Sequence, residues 1–132
     1  MKIKPDPKPF RFSLGDRGEV LACGFLRGRG YKIIEKNYKC ALGEIDLVAE
    51  REGRIAFVEI KTRTDTRFGA PQEAVGPKKQ EKLLRLAAWY LKEKEMKDVP
   101  VSFDVVAVVW DGAKAPQVRV FQDAFGEKED AC

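Results

Sequence analysis

Two acids and a lysine stand close together in this chain: Asp46 in GEIDLVA, and Glu59 with Lys61 in FVEIKTR. Carboxylates and an ammonium group suit one kind of chemistry. They can hold a hard cation, orient a water and offset negative charge developing at phosphorus. No histidine occurs anywhere in the chain. That excludes histidine general bases, histidine-dependent nucleases and histidine-ligated zinc. Cys23, Cys40 and Cys132 are too scattered for a zinc site and odd in number. They fit a reducing cytoplasm better than a disulfide framework.

The elements that must position these groups read as a β-hairpin. Gly43 to Glu50 and Ile55 to Thr62 are rich in strand-forming residues, and Arg51-Glu52-Gly53-Arg54 is the polar break between them. Strand side chains alternate faces, so Glu44, Asp46 and Val48 share one face, as do Phe57, Glu59 and Lys61. A turn centred between Glu52 and Gly53 pairs Asp46 with Glu59 and Glu44 with Lys61. Opposed side chains lie about 5 Å apart at Cβ. Two carboxylates so placed need a proton or a cation, and the simplest cation is a divalent metal with oxygen ligands, such as magnesium. A turn one residue longer or shorter would put Asp46 on the other face. The competing reading is a surface hairpin with ordinary salt-bridging charges.

Asp46 followed by Glu59-Ile60-Lys61 on the next strand resembles the D…(D/E)xK signature of the restriction-endonuclease-like nuclease superfamily. The wider pattern is GDRGEVLACGFLRGRGYKIIEKNYKC, GEIDLVA, FVEIKTR, RFGAPQEAV, KKQEKL and FDVVAV. It resembles the YraN-like family of small bacterial proteins over about residues 13 to 122. The resemblance implies a restriction-endonuclease-like α/β fold, αβββαββ, with a mixed central sheet flanked by helices. It implies that Asp46 and Glu59, with the main-chain carbonyl of Ile60, hold Mg²⁺ or Mn²⁺, and that Lys61 orients or helps deprotonate the attacking water. It matches Glu19, in the GE pair of the first helix, to an acid that related nucleases place beside the metal. Otherwise Glu19 is a solvent-exposed helical acid. The implied activity is metal-dependent endonuclease cleavage, of DNA rather than RNA, with branched or single-stranded substrates suggested by junction-resolving relatives. The alternative is a non-catalytic nucleic-acid-binding or interaction module that keeps the fold.

Charge placement agrees with a polyanionic partner. Net charge is +4. Between Lys61 and Arg85 stand seven basic residues, Lys61, Arg63, Arg67, Lys78, Lys79, Lys82 and Arg85, against three acids, so this segment carries the whole excess. Arg63, Arg67, Lys78, Lys79, Lys82 and Arg85 are therefore the candidate nucleic-acid contacts. Such a charge run is otherwise a solvated helix face. Phe68 either stacks on a base or anchors its loop.

The chain reads as one domain. Residues 1–12 are a polar, proline-punctuated arm, 13–122 the nuclease-like domain and 123–132 an acidic tail. No apolar run is long enough to span a membrane, so a cytoplasmic location is expected. Leu14 to Arg27 has helical spacing, with Ser13 as N-cap. Tyr31 to Cys40 is a strand. Pro77 opens a helix to about Met96, on which Gln80, Leu84, Ala87 and Leu91 form the packing stripe. Gln80 is either a buried hydrogen bonder or a group reaching the site. Lys78, Lys79, Lys82 and Arg85 cover the exposed sides of this helix, and Trp89 and Tyr90 are core. Val101 to Trp110 is a strand buried on both faces and parallel to the one carrying Glu59. Asp104 interrupts it as a structural acid. Asp111-Gly112 turns the chain into a last strand, Gln117 to Phe121. A symmetric homodimer would help cut two strands.

Overall fold

A computed structural model describes residues 14–63, 75–110 and 115–126. The expectations for the N-terminal arm, Ser13, Arg67, Phe68 and the Asp111-Gly112 turn lie outside the described residues. The elements run α1 (Leu14–Gly28), β1 (Lys32–Cys40), β2 (Gly43–Arg51), β3 (Arg54–Arg63), α2 (Pro77–Glu93), β4 (Val101–Val109) and β5 (Gln117–Phe125). The last strand therefore continues past Phe121. The five strands lie in chain order in one sheet. Only β3 and β4 are parallel, joined by the crossover that contains α2. This is the expected mixed α/β sheet, consistent with a restriction-endonuclease-like arrangement.

Among the described residues, one helix covers each face of the sheet. On one side Ala22, Cys23 and Leu26 of α1 pack with Leu47, Ala49, Ala56, Val58, Val106 and Val108. On the other, Leu83, Leu86, Ala87 and Tyr90 of α2 pack with Ile55, Phe57, Phe103 and Val105. Tyr90 meets the edges of Tyr38 and Phe57, with centroids 4.9 and 5.7 Å away. Aromatic pairs in this geometry add about 0.5–1.5 kcal/mol each beyond their burial. The stripe on α2 is thus not the expected one. Ala87 belongs to it, but Leu84 and Leu91 flank the core, and Trp89 is 44% exposed where a core position was expected. Eight successive residues from Leu84 to Leu91 include seven apolar ones. Periodicity alone cannot choose which side of such a helix faces the sheet.

The hairpin has the expected register. Leu47 pairs with Val58 and Arg51 with Arg54. Glu52 and Gly53 have φ of 52° and 77°. Left-handed φ at both central residues marks the tight hairpin turn whose twist matches that of the strands, and glycine takes it at no steric cost.

Helix α1 is drawn close to the end of β3. A Cβ on Gly18 would run into the Thr62 hydroxyl. The glycine of the GE pair is therefore a packing requirement, set one residue from Lys61.

Candidate active site

The hairpin pairing with β3 begins at Leu47, one residue inside Asp46. At Asp46 the side chain takes over from the ladder. Its Oδ2 accepts the Ile60 N–H at 2.8 Å. The opposite neighbour is also irregular. Asn37 lies between the β1–β2 pairs Lys36↔Leu47 and Tyr38↔Ile45, yet has φ of 51°. The sheet thus opens at the end of the hairpin away from its turn, with a carboxylate holding the gap. Glu44 pairs with Lys39 rather than facing Lys61. The expected Glu44–Lys61 pair is absent because regular β2–β3 pairing stops before it.

Glu59 lies on β3 beside this opening and is only 5% exposed. Its Oε1 receives two ammonium groups, Lys61 Nζ and Lys79 Nζ, each at 3.6 Å. Burial pushes the Glu59 carboxyl above its ordinary range, and the neighbouring Asp46 charge pushes it further; Lys79 and Lys61 pull in the other direction without cancelling the rise. Burial also raises Asp46. The Ile60 N–H, Lys79 and Lys61 favour its charged form, while Glu44 opposes it. The two carboxylates therefore share one largely desolvated environment, although the regular register ends at Leu47–Val58 and does not include the expected Asp46–Glu59 pair.

Lys79, named from the sequence only as a nucleic-acid contact, lies in the first turn of α2 and reaches the Glu59 carboxylate. Its charge favours the ionised form of both carboxylates, and Lys61 adds a hydrogen bond to its own charge at Glu59. The first turn of α2 contains no acid. A helix N-terminus disfavours cations, so Lys78-Lys79 at that position was a readable signal that helix stability was not the only selection. Gln80 is a hydrogen bonder. Its Nε2 donates to the Val75 carbonyl at 2.7 Å and ties down the start of α2.

Glu19 is half-buried on α1 and accepts from Asn37 Nδ2 at 3.1 Å. Among the described residues no group of three or more His, Cys, Asp or Glu side chains converges, so Glu19 does not join Asp46 and Glu59 in a ready-made cluster. Arg63, Lys78, Lys82 and Arg85 are exposed. Lys82 lies over the start of β2, where a Cβ on Gly43 would come within 2.7 Å of its Cε. Arg85 is paired to Glu81 along the helix at 2.8 Å.

The donor set fits a hard divalent cation. It consists of carboxylate oxygens, with no histidine in the chain and no metal-binding cysteine cluster among the described residues. Two buried carboxylates, one of them raised further by the charge of the other, are relieved by a shared positive charge. With only two acids, most of the coordination would fall to water, main-chain carbonyl and substrate, which is how Mg²⁺ is commonly bound.

A second polar cluster lies at the turn end of the hairpin, around a pocket of about 220 Å³ lined by Tyr31, Arg51, Arg54, Ser102, Asp104 and Gln122 among others. Asp104 is 2% exposed. Its Oδ2 accepts the Tyr31 hydroxyl at 2.7 Å, and its Oδ1 accepts the Asp123 N–H at 2.9 Å. That amide sits where β4 and β5 slip in register, at an Asp123 φ of 52°. Asp104 is the structural acid expected from the sequence, and it fixes the bulge.

Residues 18–108 match the uncharacterised protein family UPF0102. The chain belongs to this family. Its relatives include UPF0102 proteins of Geotalea daltonii, 43% identical over 86% of this chain and 89% of the relative, and of Syntrophotalea carbinolica, 45% identical over 87% and 93%. The UPF0102 protein of Syntrophomonas wolfei is 47% identical over 77% and 89%. UPF0102 is the YraN-like family that the motifs resemble. The matched segment of the UPF0102 chain runs from Gly18 through Val108 and so contains Glu19, Asp46, Glu59, Lys61 and Lys79. No helix among the described residues is long and apolar enough to cross a membrane.

Proposed function

We propose that this protein is a metal-dependent endonuclease that hydrolyses phosphodiester bonds in DNA. The observation that carries this reading is the pair of carboxylates Asp46 and Glu59, both raised by burial and Glu59 further by the Asp46 charge, attended by two lysines where the sheet opens. Such a pair opposes folding at neutral pH, so its benefit lies elsewhere. Asp46, Glu59 and the Ile60 carbonyl would hold Mg²⁺ or Mn²⁺, with Glu19 acting through water. The cation would supply Lewis acidity and positive charge at the reacting phosphate. Lys61 would orient the attacking water and assist its deprotonation. The water oxygen forms the new P–O bond as the ester P–O bond breaks, and the departing oxygen takes a proton from solvent. Arg63, Arg67, Lys78, Lys82 and Arg85 would hold the phosphate backbone, largely without reading sequence. A cytoplasmic protein acting on branched or single-stranded DNA is the setting we favour.

The test is cleavage of linear duplex, single-stranded, flap and four-way-junction DNA, and of RNA, with Mg²⁺, Mn²⁺ or EDTA. Cleavage that needs the metal and is lost in both Asp46→Ala and Lys61→Ala establishes the nuclease. Salt-dependent binding without cleavage would make the protein a binding module instead.

A further inference from the structure

We infer that Lys79 is a displaceable counter-ion of the carboxylate pair, occupying the charge position of the divalent cation in the metal-free protein and leaving it when the cation binds. This rests on the metal-binding part of the reading above.

Three observations carry it. First, Lys79 Nζ lies 3.6 Å from Glu59 Oε1, the same oxygen that Lys61 approaches, so one buried carboxylate oxygen faces two cations. Buried charges are tolerated only when paired. One lysine on the same strand already gives Glu59 a partner, and the second reaches it from another layer. Second, the position is costly for the helix. Lys79 sits in the first turn of α2, where the macrodipole repels a cation. Gln80, one residue on, bonds the Val75 carbonyl and holds that turn in place. Third, the Lys79 side chain is 42% exposed while that of Glu59 is 6% exposed. The acid is fixed and the lysine has a route into solvent. Lys61, at 26%, is the more enclosed of the two. A divalent cation arriving between Asp46 and Glu59 would repel both ammonium groups, and Lys79 is the one free to swing outward, towards a bound phosphate.

The experiment is calorimetric titration of the full chain with Mn²⁺ alone, at neutral pH, in wild type, Lys79→Gln and Lys79→Arg. Lys94→Gln serves as the charge-matched control, because Lys94 pairs with Glu35 and Glu93 outside the site. Glu59→Gln shows whether the Mn²⁺ seen is at the pair. Mn²⁺ that displaces Lys79 must break the attraction between one lysine and one carboxylate about 4 Å apart, which is worth about fivefold in a binding constant even at the screening of bulk water. Lys79→Gln should therefore bind Mn²⁺ about fivefold more tightly than wild type, with Lys79→Arg and Lys94→Gln close to wild type. Equal affinity in wild type and Lys79→Gln, with binding lost in Glu59→Gln, would overturn the role of Lys79 and leave the metal site standing. No Mn²⁺ binding in any variant would overturn both.

Discussion

Asp46 and Ile60 are joined by a side chain where a backbone bond is expected: the Asp46 carboxylate accepts the Ile60 N–H at 2.8 Å, just beyond the last regular β2–β3 pair. One residue thus both ends the ladder and faces the site. The two roles separate by substitution. Asp46→Asn keeps an oxygen for the Ile60 N–H and loses the charge, so stability should stay within about 1 kcal/mol. Asp46→Ala strands a half-buried donor and should cost about 1–3 kcal/mol. Both should abolish metal-dependent cleavage. Urea unfolding of the two variants checks this, and equal stability would mean that the hydrogen bond contributes nothing.

The raised carboxyls give the metal-free protein a pH dependence. Their ordinary values are 3.8 for Asp46 and 4.5 for Glu59, and both lie higher in the folded chain. A carboxyl that holds its proton more tightly when folded contributes stability below its unfolded value and loses it as pH rises through the folded value. Metal-free protein should therefore lose stability as pH climbs from about 4 towards neutrality. Glu59→Gln removes one of the two coupled titrations, so its melting temperature should fall less over the same range. Added Mg²⁺ should raise the wild-type melting temperature at neutral pH, by about 1.4 kcal/mol of stability at ten times its dissociation constant. Parallel pH profiles for wild type and Glu59→Gln would refute the pairing.

The hairpin was legible in the sequence because Glu52-Gly53 fixes the turn, and the turn fixes the register as far as Leu47–Val58, the residues next to Asp46 and Glu59. Chain order also gave the parallel β3–β4 pair through the length of the connection. What could not be read is what local patterning does not encode. The Glu44–Lys61 pair failed because Asp46 replaces a ladder bond with its side chain, which alternation cannot foresee. The α2 stripe failed because Leu83, Leu86 and Tyr90 compete with Leu84 and Leu91 for the sheet, and only the seated helix decides. The ion pair of Lys79 with Glu59 was not legible either, since helical periodicity does not show which neighbouring element an exposed lysine reaches.

Gly18 is predicted to be irreplaceable for steric reasons. Alanine there meets the Thr62 hydroxyl and pushes α1 away from β3. Overpacking of this kind typically costs about 1–3 kcal/mol. Gly18→Ala combined with Thr62→Ala removes the hydroxyl and should recover part of that loss. Chemical denaturation of the single and double variants measures the coupling, and strict additivity would show that the two sites do not touch.

Tyr31 and Asp104 form a latch on the α1 side of the sheet, where Asp104 pairs with Val58, next to Glu59 in the chain. Burial, and then the hydrogen bond to Asp104, push the Tyr31 phenol up to about 12. Tyr31→Phe leaves Asp104 Oδ2 without its donor, so the variant should lose about 1–3 kcal/mol. DNA cleavage at a temperature where it remains folded should be unchanged. Loss of activity without loss of stability would move this cluster into the functional site.

The exposed basic residues should act through phosphate alone. Lys78 and Lys82 make no ion pair among the described residues, whereas Arg85 is engaged by Glu81. Each free lysine that contacts a phosphate adds about 0.9 to the slope of log affinity against log salt on duplex DNA. Lys78→Gln and Lys82→Gln should each lower that slope by about one, weakening all sequences alike. Arg85→Gln should lower it less, because binding must first break the Glu81 pair. Lys82 has a further constraint, since its stem lies over Gly43 at the mouth of the site. Its loss should therefore weaken substrates that thread past the opening more than plain duplex. Salt titrations of binding on duplex and flap DNA, read by fluorescence anisotropy with Ca²⁺ in place of Mg²⁺, separate these effects. Identical slopes in wild type and both lysine variants would place the DNA on another face of the protein.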